Sequence, residues 1–306
     1  IRLTKSTIES DNVLGDPGGP AGRVALNAPV ITLDGSHVSA TGHTTCCGAS
    51  SGGSVTIQAD RLDLKNGSEV TAIGYQTSPS LPGGTVVINA TDTVRIDQSS
   101  INASGLPGGN AGSISITAGE AVRLNHSEIL AEGSTISVPP LPGHGGNIVI
   151  DAGKTFVSQG STVSAHSDNF NGGHIVIQAS EQVRLDGGLV TAAGAHGGIV
   201  TMQAGQFVLD SARVAANGVE GGGKIAIDAT DSVVIRNSPL ALDVSGSNPI
   251  PIPIPAPGGE VTIKANRVVI NDSGINANGM TAGGSVAIKA NETIRMDGSL
   301  VETGLS

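Results

Sequence analysis

Apolar and polar residues alternate along this chain with a period of two, in short runs that return at regular intervals. Five-residue segments of the form apolar-x-apolar-x-Ala occur ten times, at 24–28, 55–59, 86–90, 114–118, 148–152, 175–179, 200–204, 225–229, 261–265 and 286–290. Each is followed by a second apolar pair, such as Val94/Ile96, Val122/Leu124, Val183/Leu185 or Ile294/Met296. After a small or polar turn comes a third short run, as in Val70-Thr71-Ala72, Ile101-Asn102-Ala103, Val163-Ser164-Ala165 and Ile275-Asn276-Ala277. Strict alternation predicts half-buried strands, three per unit, and no stretch sustains the 3.6-residue period of a helix.

The anchoring alanines are 31, 31, 28, 34, 27, 25, 25, 36 and 25 residues apart, and the recurring minimum of 25 defines the unit. Three strands and three turns in that length make one coil of a β-solenoid, too short for a propeller blade and lacking the helix of a leucine-rich or ankyrin unit. The chain is therefore expected to be all-β: a single right-handed parallel β-helix of about ten coils spanning 1–306, with a partial first coil at 1–22. The handedness follows from the bias of parallel crossovers. Long insertions (43–51, 75–82, 134–144 and the proline run 247–257) all lie between a third strand and the next glycine pair, so one corner of the coil absorbs the length variation. Pairs such as Gly52-Gly53, Gly83-Gly84, Gly145-Gly146, Gly172-Gly173, Gly258-Gly259 and Gly283-Gly284 precede the first strands, where positive φ at a tight corner is the expected reason for glycine.

Composition sharpens this reading. The 306 residues include 45 glycines but no tryptophan, one tyrosine and three phenylalanines, which suits thin layers of Val, Ile, Leu and Ala. The net charge of −10 argues against nucleic acid or anionic lipid as a partner. No apolar run is long enough for a transmembrane helix. No secretory signal stands at Ile1, so the sequence is expected to start after processing or inside a longer protein.

Candidate chemistry is sparse. Asp97, Asp186, Asp210 and Asp297 follow second strands, and Asp186 and Asp210 belong to adjacent coils, so they are the pair that a polysaccharide lyase or hydrolase would use. Equivalent positions hold Lys65, Asn125 and Asn271, which favours ordinary polar turns. Arg95, Arg123, Arg184 and Arg295 must point outward, where edge charges discourage lateral aggregation. The seven histidines share no register and no metal-ligand spacing, so neither a metal nor another cofactor is expected. Six Asn-x-Ser/Thr triplets begin at Asn66, Asn89, Asn102, Asn125, Asn271 and Asn291. The outward residues of the first strands form no threonine ladder, but Val87, Val149 and Val176 leave a mildly apolar face able to meet another protein. The only cysteines, Cys46 and Cys47, are adjacent; a vicinal disulfide, free thiols and an intermolecular bridge all remain open.

The unit Gly52-Gly53-Ser54-Val55-Thr56-Ile57-Gln58-Ala59, continuing through Leu64 and Gly67-Ser68-Glu69-Val70-Thr71-Ala72, resembles the filamentous haemagglutinin-like exoproteins of bacterial two-partner secretion. The likeness runs through degenerate repeats over essentially the whole chain. It implies an extracellular or surface-attached fibre, exported through an outer-membrane partner and used in adhesion. A host-surface, matrix or glycan receptor would be its partner. The family's amino-terminal secretion motifs, of Asn-Pro-Asn-Gly type, are not present. The sequence thus points to a non-enzymatic structural or adhesive protein, with the polysaccharide-active enzyme as the alternative. Residues 1–8 match 122–129 position by position, so the first coil opens at its second strand. Neither end shows a helical cap, so continuation into further coils or head-to-tail stacking of copies is expected.

Overall fold

A computed structural model describes residues 1–12, 20–42, 50–75, 82–106, 109–134, 143–247 and 256–305. Among these there is no helix: every element is a strand, and every pairing between strands is parallel. The first strands stack Val24 on Val55, Val86, Ile114, Ile148, Ile175, Val200, Ile225, Val261 and Val286 in turn, ten rungs joined by nine parallel pairings. At ~4.8 Å per step this ladder is about 43 Å long. The second and third strands stack in the same way, and Arg2–Thr4 and Thr7–Glu9 pair with the second and third strands of the next coil. The fold is a parallel β-helix in which residues 2–9 form the second and third strands of a partial coil ahead of the first complete one, which opens at Arg23.

The alternation seen in sequence is the alternation of burial. In the second coil Val55, Ile57, Leu62, Leu64, Val70 and Ala72 all point inward and are fully buried. Most following coils repeat this set, five large apolar side chains and an alanine, with Ser158 replacing one large residue and Val244 and Thr303 replacing the alanine. Phe156 occupies a valine or leucine position, and the small Ser158 two residues on makes room for it. A lone coil would expose both faces of this layer; stacking seals it.

Two features were not foreseen. First, the corner between the first and second strands is in several coils no turn at all. Ser54–Lys65, Thr85–Asp97, Ile199–Asp210 and Ser285–Asp297 run through it as single bent strands. The strand is interrupted there in the first, fourth, fifth and sixth coils; in the first Pro29 has no amide to donate, and in the fifth Gly153 takes φ 61°. Second, a short fourth ladder follows the third strands. Gly74–Tyr75 pairs with Gly105–Leu106, and isolated bridges continue it through Gly133 to Ser167.

The glycine pairs require correction. None of them has positive φ; the left-handed residues lie elsewhere. A Cβ on Gly112 would stand 1.9 Å from the Gly84 carbonyl oxygen, and one on Gly173 would stand 2.0 Å from that of Gly146. Glycine recurs there because the backbones of neighbouring coils approach too closely for any side chain. Left-handed conformation belongs instead to the residue just after each second strand: Lys5, Gly35, Asn66, Gln98, His126, Gly160, Gly187, Ser211, Asn237, Asp272 and Gly298.

That turn carries a second periodic feature. In most coils a serine follows it, directed inward and buried: Ser36, Ser68, Ser99, Ser127, Ser161, Ser238 and Ser273. Each hydroxyl accepts the amide of its counterpart one coil earlier. Ser6 donates to Ser36 Oγ at 3.2 Å, Ser36 to Ser68 at 3.2 Å, Ser68 to Ser99 at 3.1 Å, Ser99 to Ser127 at 3.3 Å and Ser127 to Ser161 at 3.1 Å. The hydroxyls in turn donate to a nearby carbonyl of their own coil, as Ser99 does to Asp97 at 2.9 Å. The ladder stops at Gly188 and Ala212, which offer no hydroxyl, and resumes with Ala212 donating to Ser238. It satisfies backbone amides at the corner after the second strand, where the recurring left-handed turn removes them from the strand ladders.

Candidate functional site

The second-strand face brings the candidate carboxylates and arginines into columns. The last position of each second strand reads Asp34, Lys65, Asp97, Asn125, Gln159, Asp186, Asp210, Arg236, Asn271 and Asp297. Asp186 and Asp210 are in direct register, as the repeat predicts. Arg95 and Arg123 also stand side by side, one coil apart and facing outward.

The carboxylates are engaged with cations. Arg184, two residues earlier on the same strand and on the same face, donates Nε to Asp186 at 2.6 Å. Asp210 instead takes Arg236 of the next coil at 2.9 Å, Asn237 Nδ2 at 2.9 Å and the Ser211 hydroxyl at 3.2 Å. The Asn237 hydrogen bond, with Arg236 beside it, holds the Asp210 carboxyl below the ordinary aspartate value. A general acid needs the opposite shift, so that it keeps a proton near neutrality. Asp34 is likewise held down by Asn66 and Lys65. What this geometry does chemically is fix turns: each Asp ties its coil to an Arg, Lys or Asn within reach. Two atoms of the column depart from the pattern, because Asp186 Oδ1 and Asn271 Oδ1 are buried without a hydrogen-bond partner.

Near the beginning of the rod the same face forms an open cleft of about 390 Å³ lined by Arg2, Arg61, Asp63, Lys65, Arg95 and Asp97. Its charges are largely paired: Arg61 with Asp63 at 3.0 Å, Lys65 with Asp34 at 3.3 Å and Arg95 with Asp97 at 3.7 Å. Histidines pair singly with acids, His37 with Glu69, His166 with Asp168 and His196 with Glu220, on separate parts of the surface. Among the described residues no three His, Cys, Asp or Glu side chains gather where a metal ion could be held. Cys46 and Cys47 lie outside the described residues, as does His43.

The Asn-x-Ser/Thr triplets acquire a structural explanation. Those at Asn66, Asn125 and Asn271 end in Ser68, Ser127 and Ser273, members of the buried serine ladder; Asn66 is itself the left-handed turn residue, and Asn125 and Asn271 close the strand before the turn. At Asn102 the closing Ser104 is also buried and accepts the Glu132 amide at 3.1 Å. Asn89 and Asn291 sit on the surface beside exposed threonines. Sequence reasoning missed the ladder, although its signal is present as Asp-Gly-Ser, Asn-Gly-Ser, Asp-Gln-Ser and Asn-His-Ser at one phase of the repeat.

No protein-family model and no curated protein matches the sequence. Among solved structures the chain is similar to the HMW1 secretion domain from Haemophilus influenzae, with a TM-score of 0.53 and 15% identity over 94% of this chain and 92% of that one. At that identity the likeness is one of fold: both chains are parallel β-helices.

Proposed function

We propose that this protein is a non-enzymatic β-helical rod of the filamentous haemagglutinin type, secreted or held at a bacterial cell surface, where it serves as structure and adhesin. The observation that carries the reading is the conversion of its outward carboxylates into ion pairs on an uninterrupted stacked core. Asp186 and Asp210 meet in register, yet each is bound to its own arginine. Likeness in fold to a secretion domain supports the same reading. The partner is a host-surface, matrix or glycan receptor bound along the rod.

In the last coil Ile294, Met296 and Leu300 are 49%, 41% and 59% exposed. We propose that this layer is covered by a further coil, either from a longer chain or from a second copy stacked head-to-tail. Incubating the purified chain with acidic and neutral polysaccharides tests the absence of activity, and immobilised matrix proteins and glycans test adhesion. Saturable binding without depolymerisation is the expected result. Depolymerisation abolished by Asp186→Ala would overturn the reading in favour of a polysaccharide-active enzyme, which the unpartnered Asp186 Oδ1 makes the alternative to test.

A further inference from the structure

Charge is divided unequally between the two broad faces of the rod. Counting coils from the strand Arg23–Asn27, coils two to seven place an Arg, Lys or Asp outward on the second-strand face in every coil but the fifth. Over the same six coils the five first-strand positions (54–58, 85–89, 113–117, 147–151, 174–178 and 199–203) carry no Lys, Arg or Glu, a single Asp, Asp151, and one histidine, His174. That carboxylate is already engaged by the Gln178 side chain at 2.9 Å and the Gly153 amide at 3.2 Å. Val149 and Ile199, both on this face, are 39% and 38% exposed. A chain with net charge −10 thus leaves one long, flat sheet face almost uncharged. The second strands, and third strands through Glu69, Glu128 and Arg213, carry the outward charge instead.

The central column of this face reads Thr56, Val87, Ser115, Val149, Val176, Thr201. Read backwards it is nearly the same. We infer that the first-strand face pairs with the same face of a second copy of this chain, the two rods antiparallel about a two-fold axis between coils four and five. Thr56 then lies opposite Thr201, Val87 opposite Val176 and Ser115 opposite Val149. At the adjoining edge Gln58 meets Gln203 and Asn89 meets Gln178. Amides both donate and accept, so these pairs are self-complementary, as a two-fold interface requires.

Charge also sets the extent of the overlap. One coil further out, Arg23 of one copy would face Lys224 of the other. Six coils at ~4.8 Å and five residues at ~3.3 Å give about 480 Å² per partner. That is below the ~800 Å² of a standard stable interface, so the pair is weak and reversible.

This inference deepens the fibre reading by giving it lateral bundling, and its test separates the two. Small-angle scattering and sedimentation of the 306-residue chain are followed over a concentration series. The expected result is a cross-section that thickens toward two rods as concentration rises. The face carries one carboxylate, Asp151, already held by hydrogen bonds, so thickening should depend only weakly on salt between ~0.05 and ~0.5 M. Val149→Lys with Val176→Lys should hold the chain at one rod thickness. Val157→Lys with Val208→Lys, on the opposite charged face, should behave as wild type. Circular dichroism and melting confirm that each variant is folded. If the wild type stays one rod thick at every concentration, or the first variant thickens equally, the inference is wrong. Growth in length at constant thickness would overturn lateral pairing while supporting head-to-tail fibre growth.

Discussion

Replacing Ser99 with alanine removes one link of the serine ladder together with the hydroxyl's own donation to the Asp97 carbonyl. Ser68 is fully buried and its amide donates to Ser99 Oγ at 3.1 Å, so Ser99→Ala leaves that amide without an acceptor in a dry turn. An unsatisfied buried donor costs ~1–3 kcal/mol. At ~2.1 cal/mol/K of unfolding entropy per residue, the corresponding fall in Tm is about 2–5 °C. Ser100→Ala is the matched control, because Ser100 faces outward on the next strand and should change stability by less than ~0.5 kcal/mol. Ala212→Ser supplies the reverse case. The register sets residue 212 beside Gly188, so a serine there would receive the Gly188 amide and extend the ladder. A gain of ~0.5–1.5 kcal/mol is expected. Urea unfolding followed by circular dichroism gives the energies, and hydrogen exchange at the Ser68 amide gives the location. If Ser99→Ala matched Ser100→Ala in stability, or the Ser68 amide kept its protection, the ladder would be decoration and the reasoning wrong.

Three further outcomes follow from the same geometry. Gly67→Ala, at φ 75° with open space around it, should cost ~1–2 kcal/mol, whereas Gly112→Ala, driven against the Gly84 carbonyl, should cost ~3 kcal/mol or more in urea unfolding. The Asp210 carboxyl is held down by Asn237 and Arg236, so its stabilisation is complete above about pH 4 and fades as pH falls through the lower folded-state value. Asp210→Asn should flatten that part of an acid melting curve and leave the neutral-to-basic part unchanged in shape. Changing Cys46 and Cys47 together to serine should lower Tm by less than ~5 °C, since they fall in a corner segment whose length already varies between coils; a larger fall would give the pair a structural role.

The architecture was legible because burial in a β-helix is written directly as alternation. Val55, Ile57, Leu62, Leu64 and Val70 announce their inward direction by spacing alone, and the glycine pairs mark the phase. The reason for those glycines was not legible. Gly112 is excluded from other residue types by a carbonyl 28 positions earlier, and sequence proximity carries no trace of that neighbour. The serine ladder was hidden differently: Ser after Asp-Gly or Asn-Gly reads as common turn chemistry, and in three coils as part of an Asn-x-Ser triplet. Outward Arg and Asp were correctly placed on one face and in register. Their partners were not predictable, since Arg184 reaches along its own strand to Asp186 while Arg236 reaches back a coil to Asp210. That choice depends on rotamers, which the repeat does not specify.

In this rod the strand hydrogen bonds run parallel to the long axis, while the chain itself travels around it. Tension applied between the two chain ends therefore meets one coil at a time, peeling its bonds in succession instead of shearing many at once. Each coil released would pay out about 25 residues of slack, roughly 80 Å when extended, against a folded rise of only ~4.8 Å. A molecule wound this way yields stepwise under load, as a spool does, and the coils still wound keep their shape while it lengthens.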